Sequence, residues 1–114
     1  TKNTCQKPSG GDNKVKWTSF TAKGCTELKN RINASPITIA VNVKPMQSYK
    51  SGIFDGCGAD IEVNHDILMV GATLNYWKLK NSFGEGWGEY GFVRVKMGNT
   101  CGVCEKDGYG FTYA

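Results

Sequence analysis

The chain has 114 residues with 14 basic and 10 acidic side chains, a formal net charge of +4 and a hydrophobic share of 39%. A chain of this length forms one domain. Its hydrophobic share excludes a disordered tail. No apolar run approaches the ~18–20 residues of a membrane helix, which excludes an integral membrane protein. The basic residues are scattered along the chain, which argues against a nucleic-acid partner.

The first part of the chain predicts a short strand, a short helix and a second strand. Residues 15–20 form a β-like patch within a polar, turn-rich stretch. Residues 25–33 predict a helix, because Leu28 and Ile32 lie four positions apart on one face while charged residues occupy the other. Residues 37–43 are rich in β-branched side chains and predict a strand.

The second half predicts mostly β-structure, after an irregular stretch at residues 44–64. The continuous apolar run at residues 67–70 predicts a strand that is buried on both faces. Residues 76–80 and 91–97 alternate between apolar and basic positions, so each predicts a strand with one buried face. Residues 105–110 are turn-like. We therefore expect a small antiparallel sheet or partial barrel with one short helix.

A glycine-rich loop lies between the last two predicted strands. Gly86, Gly88 and Gly91 match the GxGxxG spacing of dinucleotide-binding loops. That motif requires a helix after it, so that the phosphate meets the helix N-terminus. Here a β-alternating segment follows, and Trp87 occupies the room that a pyrophosphate needs. The sequence therefore predicts no cofactor at this loop.

Five cysteines suggest an oxidising or lysosome-like compartment with disulfides. They are Cys5, Cys25, Cys57, Cys101 and Cys104. Cys101 and Cys104 form a CxxC pair, but no helix is predicted after it and no second pair has zinc-ligand spacing, so we favour disulfide half-cystines over a redox or metal site. A small redox or metal protein is the alternative, which counting of free thiols would test. Because the number is odd, at least one cysteine stays free or bonds outside this chain.

His65 is the single histidine and stands directly before an apolar strand. At such a position a histidine is by default a hydrogen-bonded core residue. Histidine is also the usual general base near neutral pH. Asn81 follows the next predicted strand and could hold the imidazole, and a histidine held by an amide can deprotonate a thiol.

Taken together, these segments resemble the C-terminal half of papain-like cysteine peptidases, the family of papain and the cathepsins. Several ordered motifs between about residues 35 and 103 carry the resemblance. They are residues 35–41 (SPITIAV, family GPVSVAI), 49–54 (YKSGIF, family YxxGIY), 64–71 (NHDILMVG, family NHAVLVVG), 76–88 (YWKLKNSFGEGWG, family YWxxKNSWGxxWG), 91–95 (GFVRV) and 101–102 (CG).

The resemblance implies an α+β, mainly β fold: the right-hand, antiparallel, barrel-like half of the papain-like architecture with one short helix. Residues 1–114 would be this C-terminal domain, and the left domain with the nucleophile would lie outside the chain. His65 would be the general base and acid, and Asn81 would accept the imidazole N–H and fix the ring. Cys25 lacks every neighbour of the family's QxxxxxCxSCW nucleophile motif, so we interpret it as structural.

The resemblance also implies a set of substrate-binding residues and no metal or cofactor. The set is Ala40, Val63, Asn64, Asp66, Phe83, Trp87 and Lys106. Ala40, Val63 and Asp66 would line the S2 pocket, which takes the second substrate residue before the cut. Lys106 would reach its floor, where a cation is expected to disfavour arginine. Phe83 replaces the family tryptophan that shields the Asn–His bond, and Asp66 replaces a small residue.

The resemblance assigns the cysteines as well. Cys57 and Cys101 match half-cystines that the family joins. Cys5 matches a cysteine whose family partner lies upstream. Cys25 and Cys104 match no family cysteine and are candidates for an additional bridge with each other.

These expectations together describe half of a cysteine-type endopeptidase that is inactive as this chain alone. Its partners would be the N-terminal half of the same peptidase, with Cys5 as a candidate link, and a peptide substrate. Its location would be a lysosome-like vacuole or the extracellular space. The alternative is a catalytically inactive, peptidase-like binding module, which the residue at the upstream nucleophile position would distinguish.

Overall fold

The structure is a computed structural model that describes residues 17–113. It contains seven strands, one α-helix and two short 3₁₀ helices. In chain order these are β1 (Trp17–Ala22), α1 (Gly24–Ile32), β2 (Ile37–Val41), a 3₁₀ helix (Lys44–Met46), β3 (Ile53–Phe54), β4 (His65–Ala72), β5 (Tyr76–Lys80), β6 (Phe92–Lys96), a 3₁₀ helix (Thr100–Gly102) and β7 (Gly108–Tyr113).

All seven strands form one sheet in the order β1-β7-β2-β4-β5-β6-β3. Neighbouring strands are antiparallel except β3 and β6, which are parallel. The mainly β fold class is therefore confirmed, but the sheet is open and not closed into a barrel. β3, at the edge opposite β1, has only two residues, too few to close the sheet by pairing with β1.

The core lies on the face of the sheet that α1 covers. The helix forms as predicted within one residue at each end, and Leu28 and Ile32 are buried. The Glu27 carboxylate accepts the Lys23 backbone N–H at 2.9 Å, and Lys29 and Arg31 lie in the last turn, where positive charge is favoured by the helix dipole. The buried strand residues are Ala22, Ile37, Ile39, Val41, Ile67, Met69, Trp77, Leu79, Val93 and Val95.

Two predictions about strands are wrong. Residues 67–70 are not buried on both faces: Ile67 and Met69 are buried, whereas Leu68 and Val70 are half-buried, because α1 covers only one side of the sheet. The turn-like stretch at residues 105–110 contains the start of β7. The predicted strand at residues 15–20 begins outside the described residues, and β1 continues to Ala22.

Two disulfides cross-link the described residues. One joins Cys57 to Cys101 and the other joins Cys25 to Cys104. Cys5, predicted to bond outside the chain, lies outside the described residues. From residue 17 to residue 113, no group of three or more His, Cys, Asp or Glu side chains is arranged to hold a metal ion. Within the same residues, no helix is long and apolar enough to span a bilayer.

A polar network joins β6 to the segment before β3. The Glu89 carboxylate accepts two hydrogen bonds from Arg94, at 2.8 and 2.9 Å, and one from the Gly52 backbone N–H at 3.1 Å. The Tyr49 hydroxyl donates to the Gly52 carbonyl at 2.5 Å. The hydrogen bonds from Arg94 lower the pKa of Glu89 from 4.5 to about 2.

Glu89→Gln is therefore expected to lower the free energy of unfolding near neutral pH. The pKa of Glu89 is lower in the folded than in the unfolded state. Its ionised carboxylate therefore stabilises the fold above pH 4.5, and this stabilisation is lost as the pH falls towards about 2. Urea unfolding of variant and wild type at several pH values measures the difference, which should vanish at the acid end. Glu62→Gln, at an exposed position, is the control. A Glu89→Gln effect that is constant with pH would contradict the assignment.

Candidate active site

β4 and β5 bring His65 and Asn81 together. His65 is the first residue of β4 and pairs with Val41 at the end of β2. Asn81 directly follows β5, whose last residue, Lys80, pairs with Leu68 of β4. Antiparallel pairing thus places the end of β5 near the start of β4. The imidazole Nε2 and the Asn81 Oδ1 lie 2.9 Å apart.

The backbone fixes which way the Asn81 amide points. Its Oδ1 also accepts the Ser82 backbone N–H at 2.8 Å, and a flipped amide would oppose two N–H groups there. Asn81 is only 6% exposed, and its Nδ2 has no hydrogen-bond partner in the described part of the chain. The oxygen therefore faces His65, so that the neutral imidazole carries its proton on Nε2. The other ring nitrogen, Nδ1, is then the basic atom.

Aromatic rings flank the imidazole. The Phe83 ring centroid lies 5.3 Å from that of His65 and 5.5 Å from that of Trp87. Trp87 is anchored by its indole N–H, which donates to the Met46 carbonyl at 3.1 Å. Phe83 is 45% exposed, so it partly covers the His65 ring and leaves the site open to solvent on one side.

The glycine-rich loop returns directly into β6. A Cβ on Gly88 would lie 2.6 Å from the Phe92 carbonyl oxygen, and its φ of +60° suits glycine. Gly91 precedes β6, so the loop opens no helix and presents no helix N-terminus to a phosphate. The glycines here allow backbone segments to approach each other closely beside Trp87.

A pair of amides supports the residue before His65. Asn64 Nδ2 donates to Asn42 Oδ1 at 3.0 Å, and Asn64 Oδ1 accepts the Val43 backbone N–H at 3.0 Å. Both polar groups of the Asn64 side chain are thus hydrogen-bonded to the two residues that directly follow β2. Asn42 is 1% exposed and was not predicted from the sequence. Its only signal is a polar residue directly after an apolar strand.

A groove of about 480 Å³ opens beside Asp66, the residue that follows His65. Ala40, Asp66 and Lys106 all line it, so three predicted S2 residues lie together. Its other lining residues are Thr38, Ile39, Glu105, Asp107 and Tyr109. Asp66 also lines a neighbouring groove of about 350 Å³ that reaches Asn81. The charges of Glu105 and Asp107 were missed, although they flank Lys106 in the sequence.

Val63 lies slightly apart from that set. It lines a third groove, of about 360 Å³, together with Glu105 and Lys106. The shared residues Asp66 and Lys106 connect the three grooves. A surface for an extended ligand therefore runs from Asn81 past Asp66 to Lys106 and Val63.

The described residues supply a base but no thiol. All four cysteines between residues 17 and 113 are in disulfides, and Cys25 is bonded to Cys104 from within α1. The arrangement can accept, hold and return a proton at His65.

The chain is similar to known proteins over most of its length. Residues 1–111 match the family model described as papain family cysteine protease. Over 81 residues the chain is 38% identical to cathepsin L 2 of Paramecium tetraurelia, covering 70% of this chain and 25% of that protein. Over 75 residues it is 44% identical to cysteine proteinase B of Leishmania mexicana, covering 61% and 17%.

Solved structures give the same result. The cysteine protease CMS1MS2 of Carica candamarcensis, in complex with E-64, has a TM-score of 0.74 and 33% identity, covering 82% of this chain and 47% of that one. The bromelain protease of Ananas comosus, in complex with the E64 inhibitor, has a TM-score of 0.72 and 28% identity, covering 86% and 50%. The chain thus spans about a quarter of the cathepsin relative and about half of each solved protease.

Proposed function

Because the chain belongs to the papain family of cysteine proteases, we propose that it forms the C-terminal, right-hand domain of an enzyme that hydrolyses peptide bonds. The N-terminal half supplies the thiolate and the oxyanion glutamine. The observation that best supports this proposal is the 2.9 Å contact between His65 Nε2 and Asn81 Oδ1, because it leaves Nδ1 as the basic atom.

In the assembled enzyme, His65 takes the proton of the nucleophilic thiol and forms a thiolate–imidazolium pair. The thiolate attacks the peptide carbonyl carbon. When the carbon–nitrogen bond breaks, His65 returns the proton to the leaving amine and an acyl-enzyme remains. A water then loses its proton to His65 and attacks the acyl carbon, which releases the acid and restores the thiol. Asn81 keeps the ring in place throughout.

The substrate lies along the grooves beside this pair. Phe83 and Trp87 contact it next to the imidazole, and Asn64 next to the scissile bond. The S2 side chain enters the groove that Ala40, Asp66 and Lys106 line, with Val63 at its border. Lys106 repels an arginine that enters this groove, whereas the carboxylates of Asp66, Glu105 and Asp107 attract one.

The N-terminal half covers the sheet face opposite α1. That face exposes Tyr109 and Phe111 and half-exposes Leu68 and Val70, which is more apolar surface than a solvated strand face carries. Cys5 is a candidate covalent link between the halves. Two intrachain disulfides suit an oxidising location such as a lysosome-like vacuole or the extracellular space.

Mixing the isolated chain with the N-terminal half tests the proposal. We expect the chain alone to cleave no peptide substrate, and addition of the N-terminal half to produce cleavage that a thiol-alkylating reagent abolishes. Cleavage by the lone chain that Cys25→Ala removes would contradict the division of catalytic groups. A mixed complex that binds peptide without cleaving it would favour the inactive binding module.

A further inference from the structure

The two sides of the S2 groove come from distant parts of the chain. One side is Ala40 and Asp66, on β2 and β4. The other is the segment 103–107, between the second 3₁₀ helix and β7, which contributes Glu105, Lys106 and Asp107. The position of this segment relative to β2 and β4 therefore sets the width of the groove and the place of its charges.

Backbone pairing holds the segment only weakly to that opposite side. β7, which follows it, has six register pairs with β1 but a single one with β2, between Thr38 and Tyr109. The segment itself belongs to no strand. Sheet hydrogen bonds alone would let the segment 103–107 and β7 swing relative to β2.

The buried Val103 side chain anchors the start of the segment, and a disulfide adds a covalent attachment. Cys104 lies inside the segment, and Cys25 lies in the first turn of α1. The helix packs against β1, β2 and β4, so that this bond ties the segment to the strands that carry the opposite side of the groove. The second disulfide, Cys57–Cys101, joins the preceding 3₁₀ helix to the β3–β4 connection and does not reach the segment.

One side chain reinforces the same attachment point. Asn99 Oδ1 accepts the Cys104 backbone N–H at 2.8 Å, and Asn99 Nδ2 donates to the Glu105 carboxylate at 3.1 Å. Asn99 thus orients both the bridged cysteine and one of the charges of the groove.

We propose that Cys25 and Cys104 are positioning residues for substrate selectivity. Their disulfide holds the segment 103–107 at a fixed distance from β2 and β4, so that the charges of Glu105, Lys106 and Asp107 act on the substrate side chain from defined places. Neither residue contacts the reacting atoms. This inference rests on the proposed peptidase function of the groove.

The test removes the bond without leaving a lone thiol, in the double variant Cys25→Ser/Cys104→Ser. In the assembled enzyme, the ratio of kcat/KM for leucine over arginine at the S2 position is expected to move towards unity by about fivefold or more, mainly through KM. The rate at which iodoacetamide alkylates the nucleophile should stay unchanged, because His65 and Asn81 are untouched. Amide hydrogen exchange in residues 103–107 should quicken about tenfold while exchange in β5 does not.

Two further variants keep the outcome decisive. Val95→Ala removes core volume in β6, far across the sheet, and should lower stability with the selectivity ratio intact. Asn99→Ala should move the ratio in the same direction as the double variant, and it replaces that variant should the latter not fold. An unchanged ratio and unchanged exchange in residues 103–107 would overturn the proposal. If the wild-type assembly cleaves no peptide, the proposed function fails, while the exchange measurement still decides whether the disulfide holds the segment.

Discussion

Replacing His65 by alanine is expected to lower kcat/KM of the assembled peptidase by about 10³-fold or more. The imidazole is the base, the acid and the ion-pair partner of the thiolate, so all three roles end together. His65 is half-buried at the start of β4, and its truncation leaves no core cavity. The variant should therefore fold, bind a peptide inhibitor and lose only turnover.

Asn81→Ala provides the graded comparison. It removes the oxygen that accepts the hydrogen bond from the Nε2–H group but leaves the imidazole. We therefore expect a smaller loss of kcat/KM, about 10²-fold. Lys29→Ala, at an exposed position of α1, should leave activity unchanged. Steady-state kinetics on one peptide substrate, with circular dichroism to confirm folding, compares all three. A His65→Ala variant that retains most of its activity would exclude His65 as the catalytic base.

Trp77→Ala is expected to be the most damaging single change to stability. Trp77 is 0% exposed in β5, where it pairs with Val95 of β6 and Ala72 of β4, and its indole N–H donates to the Gly98 carbonyl at 2.9 Å. Truncation of a buried tryptophan costs about 3–5 kcal/mol. A domain with ~5–15 kcal/mol of total stability would lose a large part of it.

Trp77→Phe separates packing from the hydrogen bond. It keeps a ring in the core but leaves the Gly98 carbonyl without its donor, which costs about 1–3 kcal/mol. Lys78→Ala, the next residue on the same strand, points to the open face and should change stability by about 0.5 kcal/mol or less. Urea unfolding followed by circular dichroism measures the series. Equal midpoints for Trp77→Ala and Lys78→Ala would contradict the position of Trp77 in the core.

The parts of the fold that the sequence predicts are those where a local pattern reflects one buried face. Leu28 and Ile32 repeat at the helical period, and Trp77 and Leu79 alternate with lysines, so that α1 and β5 follow from neighbours in the chain. The continuous apolar run in β4 predicts burial on both faces, and this prediction is wrong because the second face of β4 is covered only in part. Only the contacts of other elements decide that coverage.

β7 shows why the remainder could not be predicted. Its inward positions 108 and 110 are glycines, which give no apolar signal. The room beside Gly108 is filled instead by Leu28 of α1 and Ile37 of β2, two residues far away in sequence. The same reason hid Asn42, since a buried amide looks like an exposed one until its partner Asn64 is located.

The pairing of β1 with β7 also has a consequence for synthesis. Trp17 lies opposite Tyr113, so the first described strand can pair only after the last one has been synthesised. On a ribosome, α1 and the β4–β5–β6 meander can form as they emerge, but β1 stays an unpaired edge until residues 108–113 have left the exit tunnel. We therefore expect nascent chains stalled before residue 108 to engage holding chaperones through this edge, and release of those chains to follow the translation of β7.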